Sequence, residues 1–450
     1  MRPTTLRCGS ARPLSGSGTI MLQTQAALDA ASLAGLAKDT VARQNEWRGK
    51  NTLNLIASEN VMSPAAMNLY ASDFEYRYAE GTIGDRYYEG TRYVDVIEDA
   101  TEKAIKTLFR AEFVDLRPLS GAQANLAIFS AFAKPGDSAL SLNVPSGGHI
   151  SYRDFGAAGC RGLAVHDIPF NNEDFTVDIE ALHGLFKRLG ASLRVVTLGG
   201  SLFLFPHPVT DIAKALSESF PDGDVVLHYD AAHVLGLIAG GQFQDPLREG
   251  ALVVSASTHK TFPGPQGGIL LASNLKDKQR SSLRKAVFPG LVSNHHIHRI
   301  PALLYAAAEM MRFGQDYASQ TVANAKSLAR SLDELGFKVV GKARGYTSSH
   351  QVAFDASGLG GGALVSRALT EANIIVNKNL LPGEDVRNSK NPAGIRLGVQ
   401  EVTRFGMKER EMDSIAHMFH DLLIVGESKE SIATRATSLR REFEELKFTF

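Results

Sequence analysis

Lys260 stands in the segment Ser255–Gly268, SASTHKTFPGPQGG, which leaves an apolar run through small hydroxylated residues and ends in a Gly/Pro-rich turn. A lysine placed just beyond a buried strand loses solvation, which lowers its pKa and makes its amine nucleophilic. The competing reading is a surface lysine on a turn. Ser257, three residues upstream, could hydrogen-bond a phosphate nearby, and His259 is its neighbour. Earlier in the chain VVLHYDAAH places Asp230 at the carboxyl end of an apolar run, with His233 just after it. A carboxylate there is costly unless a cation or hydrogen bonds satisfy it. A protonated pyridine nitrogen is such a cation; an N-cap aspartate is the alternative.

A phosphate needs a cradle. Ser120, Gly121 and Ala122 in LSGAQAN stand where a loop enters a helix, so free N–H groups and the helix dipole converge there. His149, in GGH, could lie against a planar ring. Arg396, in GIRLG, is flanked by small and apolar residues and suits bidentate capture of a carboxylate, with a buried ion pair as the alternative. A lysine, a pyridine partner, a phosphate cradle and a carboxylate clamp are what pyridoxal 5'-phosphate chemistry on an amino acid requires.

The elements that must position these groups alternate along the chain. Helical stretches such as 96–108 and 122–133 are interleaved with short apolar runs at 139–142, 193–198, 225–229, 252–255 and 268–272. Buried strands separated by helices predict an α/β fold, a mainly parallel sheet with helices on both faces. Ligands then bind beyond the carboxyl ends of the strands. A helical pattern covers 26–47, and NLIASEN (54–60) reads as a loop. From about residue 300 a long helix leads to a smaller α+β unit with strand-like runs 337–341, 350–354 and 373–376, then a charged helical tail over 427–446. The expected division is a tail over 1–25, an N-terminal arm over 26–70, a large domain over 71–305 and a small domain over 306–450.

The totals exclude several classes. The 48 basic and 48 acidic residues cancel, which predicts no electrostatic grip on nucleic acid or an anionic membrane. Only Cys8 and Cys160 are present, so neither a disulfide framework nor a cysteine metal cluster is expected, and a reducing cytoplasm fits. His295, His296 and His298 come without a carboxylate or cysteine pattern, so no metal is expected. No uninterrupted apolar stretch is long enough for a membrane helix.

The motifs NLIASEN, YAEGTIGDRYYEGT, LSGAQAN, GGHIS, YDAAHVLGLIAG, STHKTFPGPQGG, FPG, NKNLLP and GIRLG, in this order, resemble serine hydroxymethyltransferase, a pyridoxal-phosphate enzyme of the aspartate-aminotransferase fold (fold type I) whose large domain has a seven-stranded sheet. The resemblance runs from about residue 54 to 407, with detail closest to the archaeal-type branch. It implies that Lys260 carries the cofactor as a Schiff base, that Asp230 partners the pyridine nitrogen, and that His149 stacks on the ring beside His233. It gives Ser120, Gly121, Ala122, Ser257 and His259 to cofactor binding, with Gly290 of FPG reaching in from a neighbouring subunit and Ser201 near the phenolic oxygen. Arg396 binds the amino acid's carboxylate, helped by Ser58. Glu80 is the acid–base carboxylate, accompanied by Tyr78 and Tyr88 and serving the adjacent subunit's site. Asn379 touches the pterin of the tetrahydrofolate co-substrate. An obligate homodimer, or a tetramer of such dimers, is implied.

Several positions depart from the commonest pattern: Ala122 for Ser, Gln266 for Arg, LVSNHHIH after FPG, and Val399 for Thr, which removes a hydroxyl close to Arg396. The resemblance therefore also extends to folate-independent threonine aldolases and transaldolases and to α-methylserine hydroxymethyltransferases. A catalytically silent binding subunit would have lost Lys260, Asp230 or Arg396.

Overall fold

The structure, a computed structural model, describes residues 29–450; the tail expected over 1–25 lies outside them. The chain separates into two compact units, one ending at Gly49 and one spanning Lys50–Phe450. In the first, helix α1 (Ala30–Lys50) contains no buried residue.

The second unit is built on the sheet that the apolar runs predict. Its strands are β1 (Phe113–Asp115), β2 (Ser138–Ser141), β3 (Ala164–Asp167), β4 (Leu193–Gly199), β5 (Val226–Asp230), β6 (Val253–Ser257) and β7 (Gly268–Ala272). They lie in the order β1-β7-β6-β5-β4-β2-β3, parallel except for β7, which runs antiparallel to both neighbours. The five expected runs form the interior, where every residue of β2, β5, β6 and β7 is buried. Near-continuous hydrophobicity is what burial on both faces demands. The two edge strands gave no such run: β1 has three residues, and AVHD of β3 is not buried at any position.

Register brings the chemistry together. Asp230, the last residue of β5, lies opposite Ser255 of β6 and Gly199 of β4. Gly199 has φ +103°, and a Cβ there would stand 2.2 Å from the Asp230 carbonyl oxygen, so only glycine lets the strands close at this point.

A second, antiparallel sheet holds β8 (Lys338–Val339), β9 (Gln351–Asp355), β10 (Asn377–Asn379) and β11 (Gly394–Gly398) in the order β8-β9-β11-β10. The run expected at 373–376 instead pairs Ile374–Ile375 in parallel with Leu53–Asn54, which ties the start of NLIASEN to this half. Helix α2 (Gly121–Phe132) follows β1, and helix α3 (Arg299–Glu334) serves both halves. Ile300, Leu303 and Met310 of α3 enter the core under the large sheet, while Ala325, Leu328 and Leu332 enter the core of the smaller one. The boundary expected at 305/306 thus falls inside one continuous helix. No described helix is long and apolar enough to cross a membrane.

Candidate active site

The carboxyl ends of β5 and β6, the start of α2 and the loop at His149 line one cavity. Lys260, Asp230, His149, His233, Ser257, Gly121 and Ala122 all line it. Sequence reasoning proposed each of them separately, and the sheet register brings them to one place.

Burial lowers the Lys260 amine to about 8; Asp230 opposes this shift and Arg396 adds to it. An amine that loses its proton near neutral pH is a nucleophile. Its backbone is held from the far side, since the Asn60 amide donates to the Lys260 carbonyl at 2.6 Å and to the Tyr317 hydroxyl at 2.9 Å.

Asp230 accepts three hydrogen bonds of 2.8 Å, from the Asn125 amide, the Tyr152 hydroxyl and the Ala232 N–H. Behind Asn125 runs a buried chain. The Ser255 hydroxyl donates to Asn125 Oδ1 at 2.5 Å and lies 2.8 Å from His228 Nε2. Because that hydroxyl proton is already used, Nε2 of His228 must carry the ring proton, which leaves Nδ1 to accept from Thr197 at 3.1 Å. Burial pushes His228 down to about 4, so the ring is neutral. Every donor from Thr197 to Asn125 therefore points towards the Asp230 carboxylate.

His149 Nδ1 accepts from the Ser151 N–H at 3.2 Å and lies 2.8 Å from its hydroxyl; burial holds the ring below the ordinary histidine range. His233 is held well below that range by burial and by Lys260 and Arg396, and its Nδ1 meets the Gln351 amide at 2.9 Å. His259 is not part of the cavity wall. It accepts from the Gly267 N–H at 3.4 Å and so fixes the turn after Lys260.

Arg396, buried on β11, donates to the carbonyl (2.5 Å) and hydroxyl (2.8 Å) of Ser201 and to Asn377 Oδ1 (3.2 Å). No described carboxylate pairs with it, which removes the buried ion pair as its explanation, and burial lowers it to about 10. A guanidinium out of water and without an anion is a site for one. The hydroxyl of Ser201 is engaged by this arginine, and Gly200 is the residue that lines the cavity.

At the cradle, the Ser120 side chain accepts from the Gln123 N–H at 3.1 Å and caps α2. The first N–H groups of a helix have no partner within it. A Cβ at Gly121 would stand 2.5 Å from Ser257 Oγ, so the glycine is what keeps this corner open for a ligand. The cradle, the Lys260 amine and the triply donated Asp230 carboxylate fit the phosphate, aldehyde and ring nitrogen of pyridoxal phosphate.

Other expected residues lie apart from this cavity. Tyr78 and Tyr88 stand with ring centroids 5.4 Å apart on an exposed strip that includes Glu80. The strip is pinned from below: the Asn294 side-chain Oδ1 accepts from the Ala79 N–H at 3.0 Å, and Arg86 donates to the Ala79 carbonyl at 2.7 Å. Arg86 is in turn braced by Asp95 and Glu98, and His295 meets Glu98. The SNHH segment, one of the departures from the commonest pattern, thus supports the Glu80 strip. His298 is engaged by Glu75, so the three histidines do not converge on one point. Gly290 also lies outside the chain's own cavity, although its neighbour Leu291 accepts from Gln123 at 3.1 Å.

Ser58 belongs to a loop held by Gln400, whose amide donates to the carbonyls of Ile56 (2.7 Å) and Glu59 (2.6 Å). Val399 is fully buried within the core of the smaller half, so its side chain packs instead of facing Arg396. The Asn379 side chain bonds the adjacent Leu380 carbonyl, at 2.6 Å, and it is Asn377 that touches Arg396. Asn125, Tyr152, Asn60, Gln351 and Asn377 escaped the sequence reading. Asn125, Asn60 and Asn377 carried a signal, since each stands in a motif already singled out (LSGAQAN, NLIASEN and NKNLLP).

The model of the serine hydroxymethyltransferase family matches residues 35–419. The chain belongs to this family. It is 47% identical to the serine hydroxymethyltransferase of Pyrococcus abyssi over 413 residues, covering 91% of this chain and 95% of that one. With the enzyme of Methanopyrus kandleri it shares 49% over 411 residues, covering 91% and 94%. The resemblance to archaeal members is therefore correct. Among solved structures, L-threonine transaldolase from Pseudomonas fluorescens in its internal aldimine state is similar, with TM-score 0.84 and 30% identity over 93% of this chain and 94% of that one. The fold is that of fold type I pyridoxal-phosphate transferases, and the chain is an enzyme of that class.

Proposed function

We propose that this protein is a serine hydroxymethyltransferase, moving the hydroxymethyl carbon of serine reversibly to tetrahydrofolate or a related pterin to give glycine and the methylene-carrying folate. The observation that carries this reading is the approach of a carboxylate-free Arg396, from the middle of β11, to Lys260 and Asp230 at the carboxyl edge of the large sheet, in a chain 47–49% identical to named hydroxymethyltransferases.

When bound, pyridoxal phosphate supplies an electron sink conjugated to the substrate α-carbon. The remaining work falls to this chain. Lys260 holds the cofactor and yields it to the substrate amine. Arg396, helped by Ser58, orients the substrate carboxylate and so fixes which bond at the α-carbon aligns with the ring. Asp230, held by its three donors, keeps a proton at the pyridine nitrogen. The neutral His149 and His233 flank the cofactor. Gly121, Ala122 and Ser257 hold its phosphate, with the cap residue Ser120 setting the turn and His259 the loop after Lys260. Glu80 moves a proton at the serine hydroxyl as the carbon departs, with Tyr78 and Tyr88 packing the substrate and Asn379 contacting the pterin.

The Glu80 strip and Gly290 complete a site on a second copy in this reading, as a homodimer in the cytoplasm. Its support is the exposure of Tyr76, Tyr78, Tyr87, Tyr88 and Tyr93 on one segment, since such aromatic patches mark protein contacts. A second reading, a threonine transaldolase or aldolase, is favoured by the likeness to the Pseudomonas fluorescens enzyme. A panel of serine, threonine and α-methylserine, each with and without tetrahydrofolate, separates them. Serine turnover that needs the folate supports the first reading. Folate-independent exchange of threonine with an aldehyde, without folate-dependent serine turnover, sinks it.

A further inference from the structure

Arg299, the first residue of α3, is buried at 1% exposure and has no carboxylate partner in the described chain. Its four terminal N–H groups meet only neutral acceptors. Nη1 donates to the carbonyls of Leu116 (2.5 Å) and Pro118 (3.4 Å), and Nη2 to the Gly268 carbonyl (3.1 Å) and Thr258 Oγ1 (3.5 Å). Nε has no partner at all. Burial lowers this guanidinium to about 10, which still leaves it charged at neutral pH. A buried cation with only dipoles around it is an unbalanced charge, and such charges are retained where an anion balances them.

The positions of those acceptors indicate which anion. Leu116 and Pro118 lead directly into Ser120 and Gly121, the cradle at the start of α2. Gly268 donates its N–H to the Pro118 carbonyl at 3.0 Å, and a Cβ at Gly268 would stand 2.3 Å from the Ser120 carbonyl and 3.2 Å from the Gly121 nitrogen. Thr258 follows Ser257, the hydroxyl that faces Gly121. The guanidinium lies flat against Gly267, where a Cβ would stand 2.3 Å from its central carbon. One cation therefore clamps both strands of backbone that form the cradle, from behind.

We propose that Arg299 is the positioning residue and buried counter-charge for the cofactor's phosphate, acting through the cradle without touching it. This rests on the reading that pyridoxal phosphate occupies the cavity. The consequence is a phosphate preference that depends on the charge at position 299.

The test compares dissociation constants of purified apoprotein for pyridoxal phosphate and for pyridoxal, which lacks the phosphate. Arg299→Gln keeps donors for the carbonyls but removes the charge; Arg299→Lys keeps the charge. Arg299→Gln should weaken pyridoxal phosphate on the order of 10- to 100-fold while pyridoxal changes by less than about threefold, and Arg299→Lys should keep the wild-type preference within about threefold. Equal weakening of both ligands in Arg299→Gln, or no change in either, overturns the assignment in favour of a purely structural arginine. Should Arg299→Gln fail to fold, Arg299→Lys decides: a lost phosphate preference with the charge retained overturns it, and a kept preference upholds it. Wild-type apoprotein that binds neither ligand would instead sink the underlying cofactor reading.

Discussion

Replacing Asn125 with leucine keeps the side-chain volume of this buried position but removes the hub between the Asp230 carboxylate and the chain behind it. Three contacts go at once: the 2.8 Å donation to Asp230, the 2.9 Å donation to Ser151, and the 2.5 Å acceptance from Ser255. A hydrogen bond to a charged group contributes about 1.5–3 kcal/mol, and each buried hydroxyl left without a partner costs about 1–3 kcal/mol. The Ser255 hydroxyl, fully buried, is left with His228 Nε2 at 2.8 Å as its acceptor, which requires the ring proton to move to Nδ1 and reverses the chain of donors behind it. We expect Asn125→Leu to lose about 3–5 kcal/mol of folding stability. Asp230 would keep two of its three donors and be less firmly placed against the pyridine nitrogen. A loss of about 1.4–2.8 kcal/mol there weakens cofactor binding about 10- to 100-fold. Urea unfolding of the apoprotein gives the first quantity, and titration with pyridoxal phosphate followed by absorbance gives the second. Wild-type values for both would refute the argument that this chain of donors holds Asp230.

Other expectations follow from the same geometry. Apoprotein should take up pyridoxal phosphate faster as pH rises, about tenfold per unit at first and levelling off above about 8, where Lys260 has lost its proton; stopped-flow absorbance across pH 6–9 checks this. His207 is buried against Phe203 with neither ring nitrogen bonded, and burial pushes it to about 3. Its folded pKa lies below the unfolded 6.5, so the unfolded state binds the extra proton and stability falls as pH drops from about 6.5 towards 3, by up to about 1.4 kcal/mol per unit for this one group. His207→Phe should therefore be neutral or stabilising at pH 7 and should flatten the acid slope measured by thermal denaturation; an unchanged slope would count against it. If Glu80 serves the partner's cavity, Lys260→Ala and Glu80→Gln are each inactive alone, yet dissociating and reassociating them together restores about a quarter of wild-type activity, since half the dimers are mixed and each has one intact site. No restoration would place Glu80 and Lys260 in the same subunit's site.

The interior of the large sheet was legible because five strands buried on both faces must be continuously apolar, and residues at their carboxyl ends then fall at one edge. Lys260 and Asp230 are readable for that reason. The edge strands were not, since AVHD and FVD are too short or too polar to stand out. Residues that act by meeting a distant segment were also hidden. Asn60 reaches Lys260 across 200 positions and Arg299 reaches Leu116 across 183, and no local pattern encodes either pairing. Val399 and the SNHH segment stood out in the sequence for another reason. They seemed unusual beside a motif, but one packs into a core and the other braces the Glu80 strip.

The central claim is that Lys260 is the residue that binds the cofactor's aldehyde. Reducing the purified, cofactor-loaded protein with borohydride and mapping its peptides by mass spectrometry tests it directly. The account predicts a phosphopyridoxyl group on the peptide containing Lys260 and on no other lysine. A label on a different lysine, or none in protein that carries the cofactor's absorbance, would contradict it.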